Sequence, residues 1–262
     1  MAASGLLRER DLRVLTAVVE DGLRDDAGEA MPWVVLDRLH ELIPSDAVQF
    51  DEYDLPGHEI PTGQLSLDGG DRNIEFDDEL KNDARFWALR AEFLPYSYPA
   101  RTGDLTSVIR WSDFYTASEL KNTPFHAEHI APYSNDKYAI FVPLPPRLGR
   151  SLRMGLWRSN RDFSERDRLA LQLLRPHLHE VYLDAERRRR GIPRLSRREV
   201  EVLQLASQGF SNADIARILF ISPATVAKHM EHIFDRTGVR TRSAAAALAL
   251  PSPLSLRPLH GK

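Results

Sequence analysis

Residues 210–232 read FSNADIARILFISPATVAKHMEH. An amphipathic pattern through Ile215, Ala216, Leu219 and Phe220 stops at Ile221, Ser222-Pro223 intervenes, and a second pattern starts at once with Val226, Met230 and Ile233. Pro223 suits a first helical position, where the N–H it lacks has no partner to lose. Two short helices joined by about three residues cannot continue collinearly past that proline and must cross steeply, which is helix-turn-helix geometry. The second of them, about 15 residues or ~22 Å long, fits a major groove ~12 Å wide.

The flanking sequence supplies two more helices. Ser196 and Glu199 form a capping-box pair ahead of the stripe Val200, Leu203, Leu205 and Ala206, and Gly209 stands where a left-handed C-cap would end that helix. Ser211 caps the next helix, Gly238 closes the one after Pro223, and an alanine-rich helix covers roughly Ser243 to Leu250. Val226, Met230, Ile233 and Phe234 are assigned to the core of this module.

Over Leu195 to Ala246 the run LSRREVEVLQLASQGFSNADIARILFISPATVAKHMEHIFDRTGVRTRSAAA resembles the LuxR-type helix-turn-helix domain. The matching elements are Ser196 to Leu203, Gly209 to Asn212, Ile215-Ala216, Ser222-Pro223, Thr225-Val226, His229, Gly238-Val239 and Arg242 before the alanines. The resemblance implies an all-α four-helix DNA-binding domain whose third helix enters the major groove. By motif position it sets Ala227, Lys228 and Glu231 against base edges, and Ser222, Thr225, His229, Arg236, Arg240 and Arg242 near the phosphate backbone. Relatives often carry basic residues where Ala227 and Glu231 stand; here Ala227 could touch a thymine methyl and Glu231 could accept from cytosine N4. The plainer reading of Lys228 and Glu231, three residues apart, is a surface helix pair. The resemblance also implies a homodimer, with alanines 244–247 either admitting a second subunit or packing within their own domain.

Charge separates this module from the rest. Residues 1–190 hold 25 basic and 33 acidic residues, and residues 191–262 hold 10 and 5. A small basic module tied to a large acidic one points to a polyanionic partner for the smaller piece. The expected organisation is a domain over 1–185, a basic linker over 186–193 that contains Arg187 to Arg190, the DNA-binding domain over 194–250, and a disordered proline-rich tail over 251–262. With no cysteine, disulfides, thiolate zinc sites and cysteine nucleophiles are excluded. The N-terminus lacks the apolar core of a secretory signal and no apolar run approaches ~18 residues, so a cytoplasmic protein without membrane association is expected.

Residues 1–185 read as α+β. Helical patterns run through Leu12, Leu15, Val19 and Leu23 and, after Pro32, through Leu36, Leu39 and Ile43. Strands are expected at Ala47–Phe50, Lys137–Leu144 and Ser151–Arg158, with turns at Asp68–Asp71 and Pro145–Gly149 and with Leu152, Met154 and Leu156 on one face. Asp162-Phe163-Ser164 opens a long helix with Leu169, Leu173, Leu174, Leu178 and Val181, interrupted or kinked at Pro176. This order, with the closing segment FSERDRLALQLL and the run YPARTGDLTSVIRWSDF at 98–114, is similar to the GAF-like sensors of actinobacterial LuxR-type regulators. The resemblance implies a six-stranded antiparallel sheet with helices on one side and a small-molecule or protein signal. The candidate pocket lining is Trp87, Phe93, Tyr96, Tyr98, Trp111 and Phe114, against the alternative that these aromatics are ordinary core.

Asp104, Arg110 and Asp113 either orient a polar ligand or lock a loop by ion pairing. His126, Glu128 and His129 read as solvated loop residues, and His229 and His232 lack a further ligand, so no metal is expected. Asp25-Asp26 follows a helical pattern rather than a strand, which excludes a phosphoacceptor receiver. No P-loop, dinucleotide-binding glycine fingerprint or nucleophile elbow is present, so neither catalysis nor a cofactor is expected. Two readings follow: a DNA-binding transcriptional regulator with a sensor domain, or a ligand-independent DNA binder whose N-terminal domain is a protein-interaction and dimerisation module.

Overall fold

A computed structural model of the chain describes residues 7–25, 28–68, 70–73, 83–145, 150–189, 191 and 195–250. It divides into two compact units, Met1–Leu183 and Asp184–Lys262. The tail expected at 251–262 lies outside the described residues.

The larger unit is built on one six-stranded sheet, every pairing antiparallel, in the order β3-β2-β1-β6-β5-β4. The strands are β1 Ala47–Asp54, β2 Glu59–Leu67, β3 Arg72–Asn73, β4 Ile109–Arg110, β5 Tyr138–Leu144 and β6 Arg150–Arg158. Period-two alternation sorts their side chains between two faces. Val48, Phe50, Ile140, Val142, Leu152, Met154 and Leu156 join one core with α1 Glu9–Arg24, α2 Trp33–Leu42 and the long helix α7 Glu165–Arg189. Ala47, Tyr53, Ile60, Ile109, Ala139, Phe141 and Trp157 join a second core with α3 Ala84–Glu92, α4 Leu94–Thr102, α5 Ala117–Lys121 and α6 Pro124–His129. Helices therefore cover both faces, which corrects the expectation of helices on one side. The inner strands carry apolar residues at both parities, as in the run Tyr138–Leu144, and a sheet so composed must bury both surfaces.

Three other expectations need correction. On α1, Leu15, Val19 and Leu23 pack partly buried against the core as expected, with Val18 and Gly22 buried beside them, while Leu12 is 51% exposed. Gly22 admits close packing there: a Cβ would lie 2.7 Å from Val35 Cγ2 and 2.9 Å from Val181 Cγ1. On α7, Ala170, Leu171, Leu174 and Leu178 are buried while Leu173 is exposed, and the helix runs uninterrupted through Pro176 to Arg189. Residues 186–189 of the expected linker are thus helical. Third, His126, Glu128 and His129 belong to α6 rather than a loop; His126 is buried, and Glu128 pairs with Arg85 at 2.9 Å. The strand pair β5–β6 forms as expected, its turn residues 146–149 lying outside the described set, as does Gly69 of the Asp68–Asp71 turn.

The smaller unit holds four helices, α8 Arg197–Ser207, α9 Asn212–Leu219, α10 Pro223–Thr237 and α11 Arg242–Ala249. Their core is Val202, Leu203, Ala206, Ile215, Ala216, Val226, Met230, Ile233 and Ala245. Phe234 is partly buried against it, and Val202 takes the central place that the periodicity gave to Val200. Each helix start is capped by a side chain: Ser196, Ser211, Ser222 and Thr241 accept from the amide three residues on. Phe220 is a correction too. It leaves the α9 stripe, adopts φ 55°, ψ 46° as the C-cap and stands 93% exposed.

Candidate functional site

The turn between α9 and α10 is made by local chemistry. Ile221 N donates to Ala216 O at 3.0 Å, Phe220 turns the chain through the left-handed region, and Ser222 Oγ accepts from Thr225 N at 3.0 Å. Helix α10 then has two sides. Val226, Met230 and Ile233 are buried in the unit, and Ala227, Lys228, Glu231, His232 and Asp235 are exposed. No ion pair joins Lys228 to Glu231 among the described residues, so the surface-pair reading is not what the structure shows.

The other residues of the expected DNA face are partly committed elsewhere. The hydroxyls of Ser222 and Thr225 lie 2.7 Å apart at the N-cap. Arg236 Nη1 donates to Glu199 Oε2 at 2.9 Å, tying α10 to the capping box of α8, where Ser196 N donates to the same oxygen at 2.7 Å. Burial would raise the Glu199 carboxyl, yet the bonds from Ser196 and the Arg236 charge hold it below its ordinary value. Arg242 donates to Asn212 Oδ1 at 2.6 Å and to Phe210 O at 3.3 Å. His229 is half-buried and Arg240 is exposed.

In the larger unit, the aromatics expected to line a pocket are mostly packed against one another. Trp87, Phe93 and Trp111 are buried; Trp87 stacks on His58 at 5.0 Å, and Phe93 meets Tyr96, Trp111, Tyr115 and Phe125. Tyr98 and Phe114 form a partly buried edge-on pair, and Tyr98 Oη donates to Asp104 Oδ2 at 3.2 Å. Hydrogen bonds from Ser107 and Thr106 hold the Asp104 carboxyl well below the usual range. Arg110 pairs with Asp113 at 3.4 Å and with Glu165 at 3.0 Å, which is the loop-locking arrangement.

Of that set, Tyr96 lines a cavity of about 160 Å³ on the α3–α4 side of the sheet. Two residues that the sequence reading passed over dominate it. Arg153, on β6, sits directly across from Asp51 on β1; its Nε donates to Asp51 Oδ2 at 2.9 Å and its Nη2 to Tyr53 Oη at 2.9 Å. Arg90, from α3, lies over the Tyr53 ring at 4.1 Å, and Arg153 lies over Tyr96 at 3.8 Å. Both arginines are buried, and burial pushes the Asp51 carboxyl upward against the pull of Arg153 and Arg90. Arg153 Nη1, Arg90 Nε and Asp51 Oδ1 have no hydrogen-bond partner among the described residues. The signal was present: Leu152, Met154 and Leu156 claim one face of β6, so Arg153 must occupy the other, and Phe50 does the same for Asp51. A second cavity of about 440 Å³, between α5, α6 and the approach to β5, includes Lys121, His126 and Asp136. Among the described residues no group of three or more His, Cys, Asp or Glu could hold a metal, and no helix is long and apolar enough to cross a membrane.

Comparison with known proteins bears on the two units unequally. Among relatives, a protein named as an HTH-type transcriptional regulator, y4qH of Sinorhizobium fredii (strain NBRC 101917 / NGR234), is 31% identical over 148 residues, 54% of this chain and 44% of its own. Rv0890c of Mycobacterium tuberculosis (strain ATCC 25618 / H37Rv), named likewise, is 44% identical over 59 residues, 22% of this chain and 7% of its own. The oxygen regulatory protein NreC of Staphylococcus aureus (strain JH9) is 38% identical over 60 residues, 23% of this chain and 28% of its own. The chain spans less than half the length of each of these relatives. Among solved structures, the VqsR LBD domain from Pseudomonas aeruginosa aligns at 15% identity with a TM-score of 0.42, covering 68% of this chain and 98% of that one. Escherichia coli SdiA aligns at 15% identity with a TM-score of 0.40, covering 90% and 97%. Residues 193–249 match the sequence model of the family described as bacterial regulatory proteins, luxR family. The four-helix unit of this chain, with α10 as its third helix, is a luxR-family helix-turn-helix domain.

Proposed function

We propose that the protein is a sequence-specific regulator of transcription that binds double-stranded DNA as a homodimer in the cytoplasm and is controlled by its N-terminal unit. The observation that carries this reading is the two-sided α10: an apolar side seated in a luxR-family core and a side bearing Ala227, Lys228 and Glu231 open to a groove. On this reading those three residues meet base edges. Ser222, Thr225, His229 and Arg240 flank them at the phosphates, while Arg236 and Arg242 combine a bond inside the domain with a position at its rim. Two subunits would read half-sites about one helical turn, ~34 Å, apart. The N-terminal unit is read as a GAF-like sensor, supported by its six-stranded antiparallel sheet and by the cavity under Tyr96.

A gel-shift series with the full chain on DNA from its own promoter region tests the proposal. Specific binding that falls with salt by a slope of about −0.9 per neutralised phosphate is expected. No preference over random duplex at any salt would refute it. A ligand-independent regulator, with an N-terminal unit used only for protein association, is favoured by the close packing of Trp87, Phe93 and Trp111. Native mass spectrometry separates the two, since only the sensor retains an added small molecule.

A further inference from the structure

The cavity beneath α4 combines two properties that rarely coincide. Its wall is apolar, formed by Leu55, Pro95, Pro99, Ile109, Phe141 and Leu144. Two arginines nevertheless line it, Arg90 and Arg153, which are only 5% and 8% exposed. A third, Arg150, also borders the space but is already paired with Glu52.

The charges around the two buried arginines do not balance. Asp51 is the carboxylate in contact with Arg153, and it lies behind Arg153 rather than on the cavity wall. Arg90 has no ion pair among the described residues; its stabilisation comes from the faces of Tyr53 and Tyr96, at 4.1 and 5.7 Å, which it shares with Arg153 at 5.0 and 3.8 Å. Two cations and at most one anion are therefore enclosed together, and among the described residues each cation keeps a buried nitrogen without a hydrogen-bond partner, Arg90 Nε and Arg153 Nη1. An arginine does not relieve this by losing its proton. A buried charge without a partner is among the more expensive features a fold can hold, and a purely structural site would have an apolar side chain in place of Arg90.

We propose that this cavity is a binding site for a small monocarboxylate with a compact apolar body, its carboxylate held between Arg90 and Arg153 and its body against Leu55, Pro99, Ile109 and Phe141. The inference deepens the sensor reading above and rests on it. The anion completes the charge balance, and a carboxylate matches the planar donor array of guanidinium groups. The volume sets the size of the body: about 160 Å³ is near the ~150 Å³ apolar cavity that admits a molecule as large as benzene. A long acyl chain exceeds this volume, and inorganic phosphate leaves the apolar wall unfilled.

Calorimetry and thermal melting of the full chain with benzoate, benzyl alcohol and inorganic phosphate test the assignment. Benzoate is expected to bind one per chain and to raise the melting temperature, while benzyl alcohol, which has the same body without the charge, binds at least about thirtyfold more weakly. Arg90→Met is expected to abolish benzoate binding and to leave the ligand-free melting temperature unchanged or higher, because it removes an unbalanced charge from an apolar site. Arg90→Lys, which keeps the charge, retains part of the affinity. Equal binding of benzoate and benzyl alcohol, binding of phosphate alone, no binding of any probe, or an Arg90→Met protein that binds benzoate like the parent would each overturn the proposal. DNA binding of the same preparations is scored separately: failure of benzoate with specific DNA binding intact refutes the anion site alone, and absent DNA binding refutes the regulator alone.

Discussion

Glu199 joins two elements of the helix-turn-helix unit through one carboxylate oxygen, so its removal should be measurable and separable into parts. Glu199→Ala deletes the acceptor of Ser196 N and of Arg236 Nη1, at 2.7 and 2.9 Å, from a side chain only 4% exposed. Loss of the cap costs about 1 kcal/mol and loss of a charge-assisted bond to a half-exposed arginine about 1–2 kcal/mol, or roughly 2–3 kcal/mol together. For a domain this small that lowers its melting temperature by about 10–20 °C. Glu199→Gln keeps an oxygen for the cap and loses the charge, so about half of the effect should remain. Differential scanning calorimetry of the full chain resolves which of the two units moves, and only the smaller one should. The pH dependence has a defined sign: the folded carboxyl lies below its unfolded value, so its contribution is complete above the ordinary glutamate range and fades as pH falls through the folded value. Equal losses for the alanine and glutamine variants, or a change below about 0.5 kcal/mol for alanine, would refute the assignment of Glu199 as a shared anchor.

Three further outcomes are expected. Gly22→Ala should destabilise the larger unit by about 1–2 kcal/mol in chemical denaturation, because stiff Val35 and Val181 side chains stand under 3.0 Å from the new methyl and their displacement outweighs the gain in helix propensity. Phe220→Gly should raise the stability of the smaller unit by about 1 kcal/mol, since it relieves a left-handed backbone and forfeits almost no burial, the ring being 93% exposed. Lys228→Ala should weaken specific DNA binding by about 1–3 kcal/mol with little change in melting temperature, and Glu231→Gln should shift the preferred base at one position of the operator, read by selection from a random library.

The two units were legible to different degrees for a physical reason. In the smaller one, local rules do most of the specifying. Caps at Ser196, Ser211 and Ser222, the proline at N1 of α10 and Gly238 at φ 69° each fix a boundary without help from distant residues. Phe220 escaped because helical periodicity says nothing of where a helix stops; the left-handed turn removed it from the stripe. In the larger unit the strands β5 and β6 and helices α1, α2 and α7 were readable, but the face each presents depends on packing at Gly22 and on a second layer of helices. The cavity was missed because aromatic crowding is shared by cores and pockets alike. The informative residues were the charged ones at inward positions, Asp51, Arg90 and Arg153, and a parity count along β1 and β6 singles out two of the three.

The two outermost strands, β3 and β4, are only two residues long. They pair only with Leu65–Ser66 of β2 and Ile140–Phe141 of β5, so most of the outer edge of each of those longer strands has no strand partner among the described residues. An uncovered peptide edge of that kind is where a further extended chain can add to the sheet.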